Sequence, residues 1–125
     1  MLFRNRFLFL IIGVSAVFMS SCTKKDPSVL KIFVRSSENI LTPDAKVRIV
    51  AEVDKDTPEY IAEKRTNSSG VAIFELDDLF DQYGKKDDKV AYFTIYAKNT
   101  AEFYTIDKTR AKQYLTSTGT INLEE

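Results

Sequence analysis

The sequence predicts an all-β protein, an antiparallel β-sandwich of about seven strands that follows an N-terminal signal segment. Short runs in which apolar and polar residues alternate with a period of two recur from Val29 onward, and turn-forming residues separate them. No long run shows the 3.6-residue period of an amphipathic helix. The length of 125 residues and the hydrophobic fraction of 44% suit one domain. We place this domain at residues 29–125.

The first half of the domain contains four predicted strands, at residues 29–35, 46–52, 59–66 and 71–76. In the first of them Leu30, Ile32 and Val34 alternate with more polar residues, which predicts one buried face. Residues 59–66 also contain good helix formers, so a helical turn is the alternative there. We favour a strand because the turn that follows fits a hairpin. In that turn Asn67 tolerates the left-handed region and Gly70 adopts a positive φ at no steric cost.

The second half begins with a loop at residues 77–84 that carries one predicted helical turn, capped by Asp77 or Asp78 and ended by Gly84. Residues 89–98 form the strongest predicted strand, and its two largely apolar faces indicate a central position. A strand at 102–107 follows, and 109–115 is either a second helical turn or a loop. A final strand at 118–123 points Ile121 and Leu123 inward.

The N-terminal segment is typical of a secretory signal. Arg4 and Arg6 precede an apolar stretch at residues 7–19, which is shorter than the roughly 20 residues with which a helix crosses a bilayer core. We therefore expect residues 1–21 to be a cleaved signal peptide. An uncleaved anchor, or an ordinary signal followed by a chance cysteine, is the alternative.

The residues around the predicted cleavage point, Met19-Ser20-Ser21-Cys22, resemble the lipobox of bacterial lipoproteins. The resemblance implies that Cys22 is lipidated and that residues 22–28 are the lipidated cysteine and its tether. Two or three acyl chains would anchor the protein stably, since each buried CH₂ contributes about 0.8 kcal/mol. Thr23 replaces the aspartate that marks inner-membrane retention in such proteins, so the resemblance implies an outer-membrane location in the cell envelope, either periplasmic or surface-facing.

A second resemblance concerns the segment from Thr66 to Phe74, which is similar to the T-D-x-x-G-x-A-x-F hairpin of transthyretin-like, carboxypeptidase-regulatory-like sandwich domains. Asn67 stands in place of the usual aspartate. The resemblance implies a transthyretin-like sandwich, with an Ig-like topology as the alternative. It also implies a non-catalytic role in binding, adhesion or assembly.

The composition argues against several function classes. Histidine is absent and Cys22 is the only cysteine, which removes the commonest general base, the commonest metal ligand and any thiol nucleophile in the domain. We therefore predict no enzyme and no cofactor. The acidic residues at 54–59 and 77–88 lack the spacing of a calcium loop and lie near lysines, so we predict solvated loops and no metal. Because the charges balance, with 18 of each sign, no basic face is evident and we predict no nucleic-acid partner.

These predictions combine into one function hypothesis. The chain is expected to be a membrane-anchored lipoprotein that acts as a non-catalytic binding or assembly module for a protein or glycan partner. The alternative is a structural accessory subunit of an envelope or secretion machine that docks through residues 77–89. We expect most of the aromatic residues at 90–107 to serve core or cross-strand packing. The alternative is that one face of this predicted hairpin exposes its tyrosines, Tyr92, Tyr96 and Tyr104, as a recognition surface, because tyrosine is enriched at interfaces.

Overall fold

The computed structural model describes residues 25–83 and 89–125. The predictions for the signal segment, Cys22 and Gly84 lie outside these residues. The described residues contain seven strands, one short α-helix and one 3-10 turn. Their bounds are β1 Val29–Arg35, β2 Lys46–Ala51, the 3-10 turn Val53–Lys55, β3 Ile61–Arg65, β4 Val71–Glu75, α1 Asp77–Asp81, β5 Val90–Lys98, β6 Thr105–Lys112 and β7 Thr116–Asn122.

The strands form two sheets, which confirms the predicted β-sandwich. One sheet has three strands in the order β4-β1-β7, and the other has four in the order β3-β2-β5-β6. Every neighbouring pair is antiparallel except β1 and β7, which run parallel. The parallel pair arises because the chain leaves β6 in one sheet and enters the other as β7. There the Val29 amide donates to the Leu115 carbonyl at 3.0 Å, which places the start of β1 beside the start of β7.

The core lies between the two sheets and consists of the inward side chains of alternating residues. Its largest fully buried members are Phe74, Phe80, Phe93, Leu30, Ile32, Ile49, Leu76, Leu79, Ile95, Ile121, Val34 and Val47. Full burial of each such side chain contributes about 1.5–3 kcal/mol relative to exposure. Leu79 and Phe80 come from α1, so this short helix closes part of the core. The predicted inward orientation of Ile121 and Leu123 is confirmed.

The strand β5 occupies an interior position between β2 and β6, as predicted. Only one of its faces is fully buried: Ala91, Phe93, Ile95 and Ala97 are at most 1% exposed. The side chains of the other face are partly exposed, since they point away from the three-stranded sheet. Among the described residues no helix is long and apolar enough to cross a membrane.

The region after β5 differs from the prediction. Residues 101–103 form a bend instead of the start of a strand, and 109–112 belong to β6 instead of a helical turn. The bend is held by the Glu125 carboxylate, which accepts from the amides of Asn99 at 2.8 Å, Thr100 at 2.9 Å and Ala101. In β6 only Ala111 is buried, so its strand conformation depends on the ladder with β5 and not on an apolar alternation.

The predicted hairpin between β3 and β4 is also wrong. These strands belong to different sheets, β3 pairing with β2 and β4 with β1. The buried Thr66 explains the crossing: its Oγ1 accepts from the Ala45 amide at 2.8 Å and donates to the Thr42 carbonyl at 2.7 Å. These bonds fix the end of β3 against the segment before β2, and the chain then turns into the other sheet.

The predicted helical turn after β4 is confirmed as α1, but neither Asp77 nor Asp78 caps it. Leu76 holds the N-cap position, and no side chain donates or accepts a capping hydrogen bond there. Asp77 instead accepts a hydrogen bond from the Ser28 amide at 2.8 Å. Its carboxylate thus ties the residue that precedes β1 to the start of the helix.

Candidate functional site

The predicted turn residues Asn67 and Gly70 lie in the crossing between the two sheets. Gly70 has φ +74°, and a Cβ there would lie 2.9 Å from both the Leu41 Cβ and the Thr42 amide nitrogen. Asn67 is not in the left-handed region that we predicted for it. Its side-chain oxygen instead accepts from the amides of Ser69 at 2.9 Å and Val71 at 3.2 Å. Both residues therefore shape the chain reversal and form no ligand site.

Basic residues gather on the outer face of the four-stranded sheet. Alternation with the buried residues of β2, β5 and β6 points them away from the core, and the 3-10 turn adds one more at the same side. We call this surface the cationic face. Its basic residues are Lys46, Arg48, Lys55, Lys98, Lys108, Arg110 and Lys112, its acidic residues are Glu52 and Glu63, and its tyrosines are Tyr92, Tyr96 and Tyr104.

The sequence-based premise that no basic face exists is therefore wrong, although the total charges balance. The strands that carry these cations are far apart in the chain, and the sheet brings them together. A signal for part of the face was present in the sequence: Lys108, Arg110 and Lys112 recur at a spacing of two, which places them on one side of a strand. Recognising it requires that residues 105–112 be identified as a strand.

An open groove of about 750 Å³ runs along the β6 side of the cationic face. Its basic lining consists of Lys55, Lys108, Arg110 and Lys112. Register explains this arrangement, since Arg110 pairs with Tyr92 and Lys112 with Val90 on the neighbouring strand. The hydroxyl groups of Thr109, Ser117 and Thr118 complete much of the remaining lining.

Glu52 organises one wall of the groove. Its side chain is 10% exposed and lies 3.1 Å from the Lys108 ammonium and 3.3 Å from that of Lys55. Thr94 donates a further hydrogen bond to the same carboxylate at 3.3 Å. The hydrogen bond from Lys108 is the main cause that lowers the pKa of Glu52, with burial opposing it and Lys55 adding to it. Glu52 is therefore ionised at neutral pH and holds both lysines in place.

Arg110 and Lys112 differ from these two lysines. Both side chains are exposed, and neither has an ion-pair partner among residues 25–83 and 89–125. Elsewhere on the face, Glu63 lies 3.6 Å from Lys46 and 3.7 Å from Arg48. The charges of Arg110 and Lys112 are thus the ones most available to a ligand.

The tyrosines of the cationic face are outward and partly exposed, so they are not core residues, and a role in recognition stays a prediction. Tyr96 and Tyr104 meet edge to face with their ring centroids 6.3 Å apart. The Lys98 ammonium lies 4.7 Å from the Tyr104 ring centroid, and that of Lys55 lies 5.3 Å from the Tyr92 ring centroid. These cation–π contacts order the side chains of the face.

Within the described part of the chain, no group of three or more histidine, cysteine, aspartate or glutamate side chains could hold a metal ion. No protein-family model matches the chain, and a search of curated proteins finds no match to it. The similarity of residues 66–74 to the transthyretin-like hairpin therefore stays a prediction, as does the similarity of residues 19–22 to a lipobox.

Proposed function

We propose that this chain is a cell-envelope lipoprotein, anchored in the outer membrane through acyl chains on Cys22, that acts as a non-catalytic binding module. The cationic face is its binding surface. The observation that carries the binding role is the pair of exposed cations Arg110 and Lys112, which have no ion-pair partner among the residues that the structure describes, beside a groove on a sheet whose other side is a closely packed core.

The place where the chain leaves the domain agrees with such an anchor. The Ser28 hydroxyl accepts from the Tyr114 amide at 2.8 Å, and the Lys25 ammonium lies 4.6 Å from the centroid of the Tyr114 ring. Tyr114 belongs to the turn between β6 and β7, next to Lys112. The tether and one end of the groove therefore lie at the same side of the domain.

The chemistry of the groove supports binding over catalysis. Among the described residues that line it, Glu52 is the one carboxylate, and it is engaged by two lysines and has a lowered pKa. A general acid at neutral pH needs a raised pKa, and glycoside hydrolysis by the usual mechanism needs a pair of carboxyl groups. Fixed cations and hydroxyl groups are instead suited to hold an anion.

The anchor is tested by expressing the full chain in a bacterium fed with an alkyne-tagged fatty acid. We expect the label on the wild-type protein and on Ser21→Ala, which keeps a small residue before the cysteine. We expect none on Cys22→Ala, which should leave the membrane fraction. Absence of label from the wild-type protein, or its persistence on Cys22→Ala, would refute anchorage at this residue.

The binding role is tested by cross-linking the intact protein in its own membranes and identifying what is captured. The test variant combines Arg110→Glu with Lys112→Glu. The control combines Arg35→Glu with Lys64→Glu, which changes the net charge equally at two positions that do not line the groove, one at the end of β1 that pairs with Asn122 and one on β3. The wild type and the control should capture the same partner and the test variant should lose it. Capture of nothing specific, or the same capture by all three proteins, contradicts the proposal.

A further inference from the structure

We infer that the groove of the cationic face binds an acidic polysaccharide, a linear chain of sugars that carries negative groups along its length. This inference rests on the proposed function, because it names the ligand class of the same surface. It follows from the spacing of the cations, the polarity of the lining and the open shape of the groove.

The cations of β6 form a line. Lys108, Arg110 and Lys112 occupy alternate positions on one face of the strand, and a rise of about 3.4 Å per residue separates successive members by about 6.8 Å. The line therefore extends over about 14 Å. A small anion would use one of these charges, whereas a polymer with repeated negative groups can use Arg110 and Lys112 together.

The rest of the lining is suited to sugars. Ser117 and Thr118 line the groove beside the cations, and their side chains carry hydroxyl groups, which both donate and accept hydrogen bonds as sugar hydroxyls do. Val90 adds an apolar side chain to the lining, and the C–H face of a sugar ring is apolar too. The core of a protein interface is more apolar and more aromatic, and is depleted in charged residues, so this lining favours a glycan over a protein partner.

Two other polyanions fit less well. Binding of single-stranded nucleic acid uses aromatic rings on which successive bases stack, but Tyr92 is the aromatic residue that lines the groove and the Lys55 ammonium lies over its ring at 5.3 Å. A bilayer surface is flat, so it would meet the rim of a concave groove and leave much of the lining without contacts. A sugar chain can enter the groove along its length.

The experiment uses the full lipoprotein, purified from membranes in detergent, with polygalacturonate, dextran sulfate and neutral dextran as probes. We expect binding to both acidic polymers and none to dextran. Raising the ionic strength from about 0.1 M to 1 M should weaken binding strongly, because the Debye length falls from about 10 Å to 3 Å. Arg110→Glu with Lys112→Glu should weaken binding by at least about tenfold, since both charges become repulsive. The control pair Arg35→Glu with Lys64→Glu should bind within about twofold of the wild type, since neither residue lines the groove.

A second variant, Arg110→Gln with Lys112→Gln, removes the same charges without adding acidic groups and should also weaken binding. Absence of binding to both acidic polymers, equal binding to dextran, or no effect of either groove variant would overturn the inference. Tighter binding to single-stranded DNA would overturn it too, as would tighter binding of the unacylated Cys22→Ala variant to anionic vesicles of matched charge. Failure of this inference is distinguishable from failure of the proposed function. If the acylated protein captured an acidic protein through Arg110 and Lys112, the polysaccharide ligand would be refuted and the role as a binding module would stand.

Discussion

The substitution Gly70→Ala tests whether the crossing between the sheets depends on the backbone conformation found at this turn. At the φ of +74° found here, alanine would adopt the left-handed region, which costs about 1–2 kcal/mol because of its Cβ. The added Cβ would also lie 2.9 Å from the Leu41 Cβ and the Thr42 nitrogen, and relief of such overpacking costs about 1–3 kcal/mol. Alanine restricts the unfolded chain, which offsets about 0.4–1 kcal/mol. The free energy of unfolding should therefore fall by about 1–4.6 kcal/mol, with the middle of the range near 3 kcal/mol.

Urea denaturation of the purified protein measures this change. With a typical slope of about 1–3 kcal/mol per molar urea, the midpoint should fall by roughly 1 M or more at an unchanged slope. Ser69→Ala is the matched control in the same turn, because Ser69 contributes its amide and not its hydroxyl to the bond with Asn67. A change within about 0.5 kcal/mol for Gly70→Ala, typical of surface substitutions, would refute the reasoning.

Three further predictions concern buried or paired polar groups. Thr66→Val leaves the buried Ala45 amide without the acceptor 2.8 Å away and should lower the free energy of unfolding by about 1–3 kcal/mol in urea titrations. Because the pKa of Glu52 is lowered in the fold, the contribution of its ionised carboxylate to the free energy of unfolding is complete above the ordinary pKa of 4.5 and is lost as the pH falls further. Glu52→Gln should therefore reduce the loss of stability at acid pH, which we call the acid branch, measured by urea midpoints. Burial raises the pKa of Tyr83, so the unfolded tyrosine ionises first and stability should fall as the pH rises above 10; Tyr83→Phe should reduce that fall, measured by urea midpoints across the alkaline range.

The predictions for Thr66 and Glu52 each have a variant that separates the stated cause from general damage. Thr66→Ser keeps the hydroxyl and should restore most of the stability that Thr66→Val loses. Lys108→Met removes the main cause of the lowered pKa of Glu52 and should flatten the same acid branch. A full acid branch in Lys108→Met, or equal losses for both substitutions of Thr66, would contradict the assignments.

Strands in which apolar and polar residues alternate could be predicted from the sequence. Strands without such alternation could not. In β1, Leu30, Ile32 and Val34 are fully buried, and their alternation with more polar residues at a period of two is visible in the sequence alone. The strand β6 buries Ala111 alone, and its extent follows from its pairing with β5. Such pairing is a long-range property that a local pattern does not carry.

The cationic face was missed for a related reason. The total charge is balanced, and a sum over the chain says nothing about how a sheet distributes charges between its faces. Arg48 and Arg110 lie far apart in the sequence. The sheet places Arg48 on β2 and Arg110 on β6, on either side of β5 but on the same face, where they pair with Tyr96 and Tyr92 of β5. The crossing at Thr66 was missed because a turn sequence specifies a reversal of the chain and not the strand with which the chain pairs next.

The attachment of the tether beside β1 has a mechanical consequence. A pull on the N-terminal side of the domain enters through Ser28 and reaches β1, the central strand of its sheet. Because β1 is bonded to β4 on one side and to β7 on the other, a force in line with the strand loads both hydrogen-bond ladders together instead of opening them one bond at a time. A load applied at the other end of β1, near Arg35, would thus fall on both ladders in shear, which is the direction in which this part of the sandwich resists best.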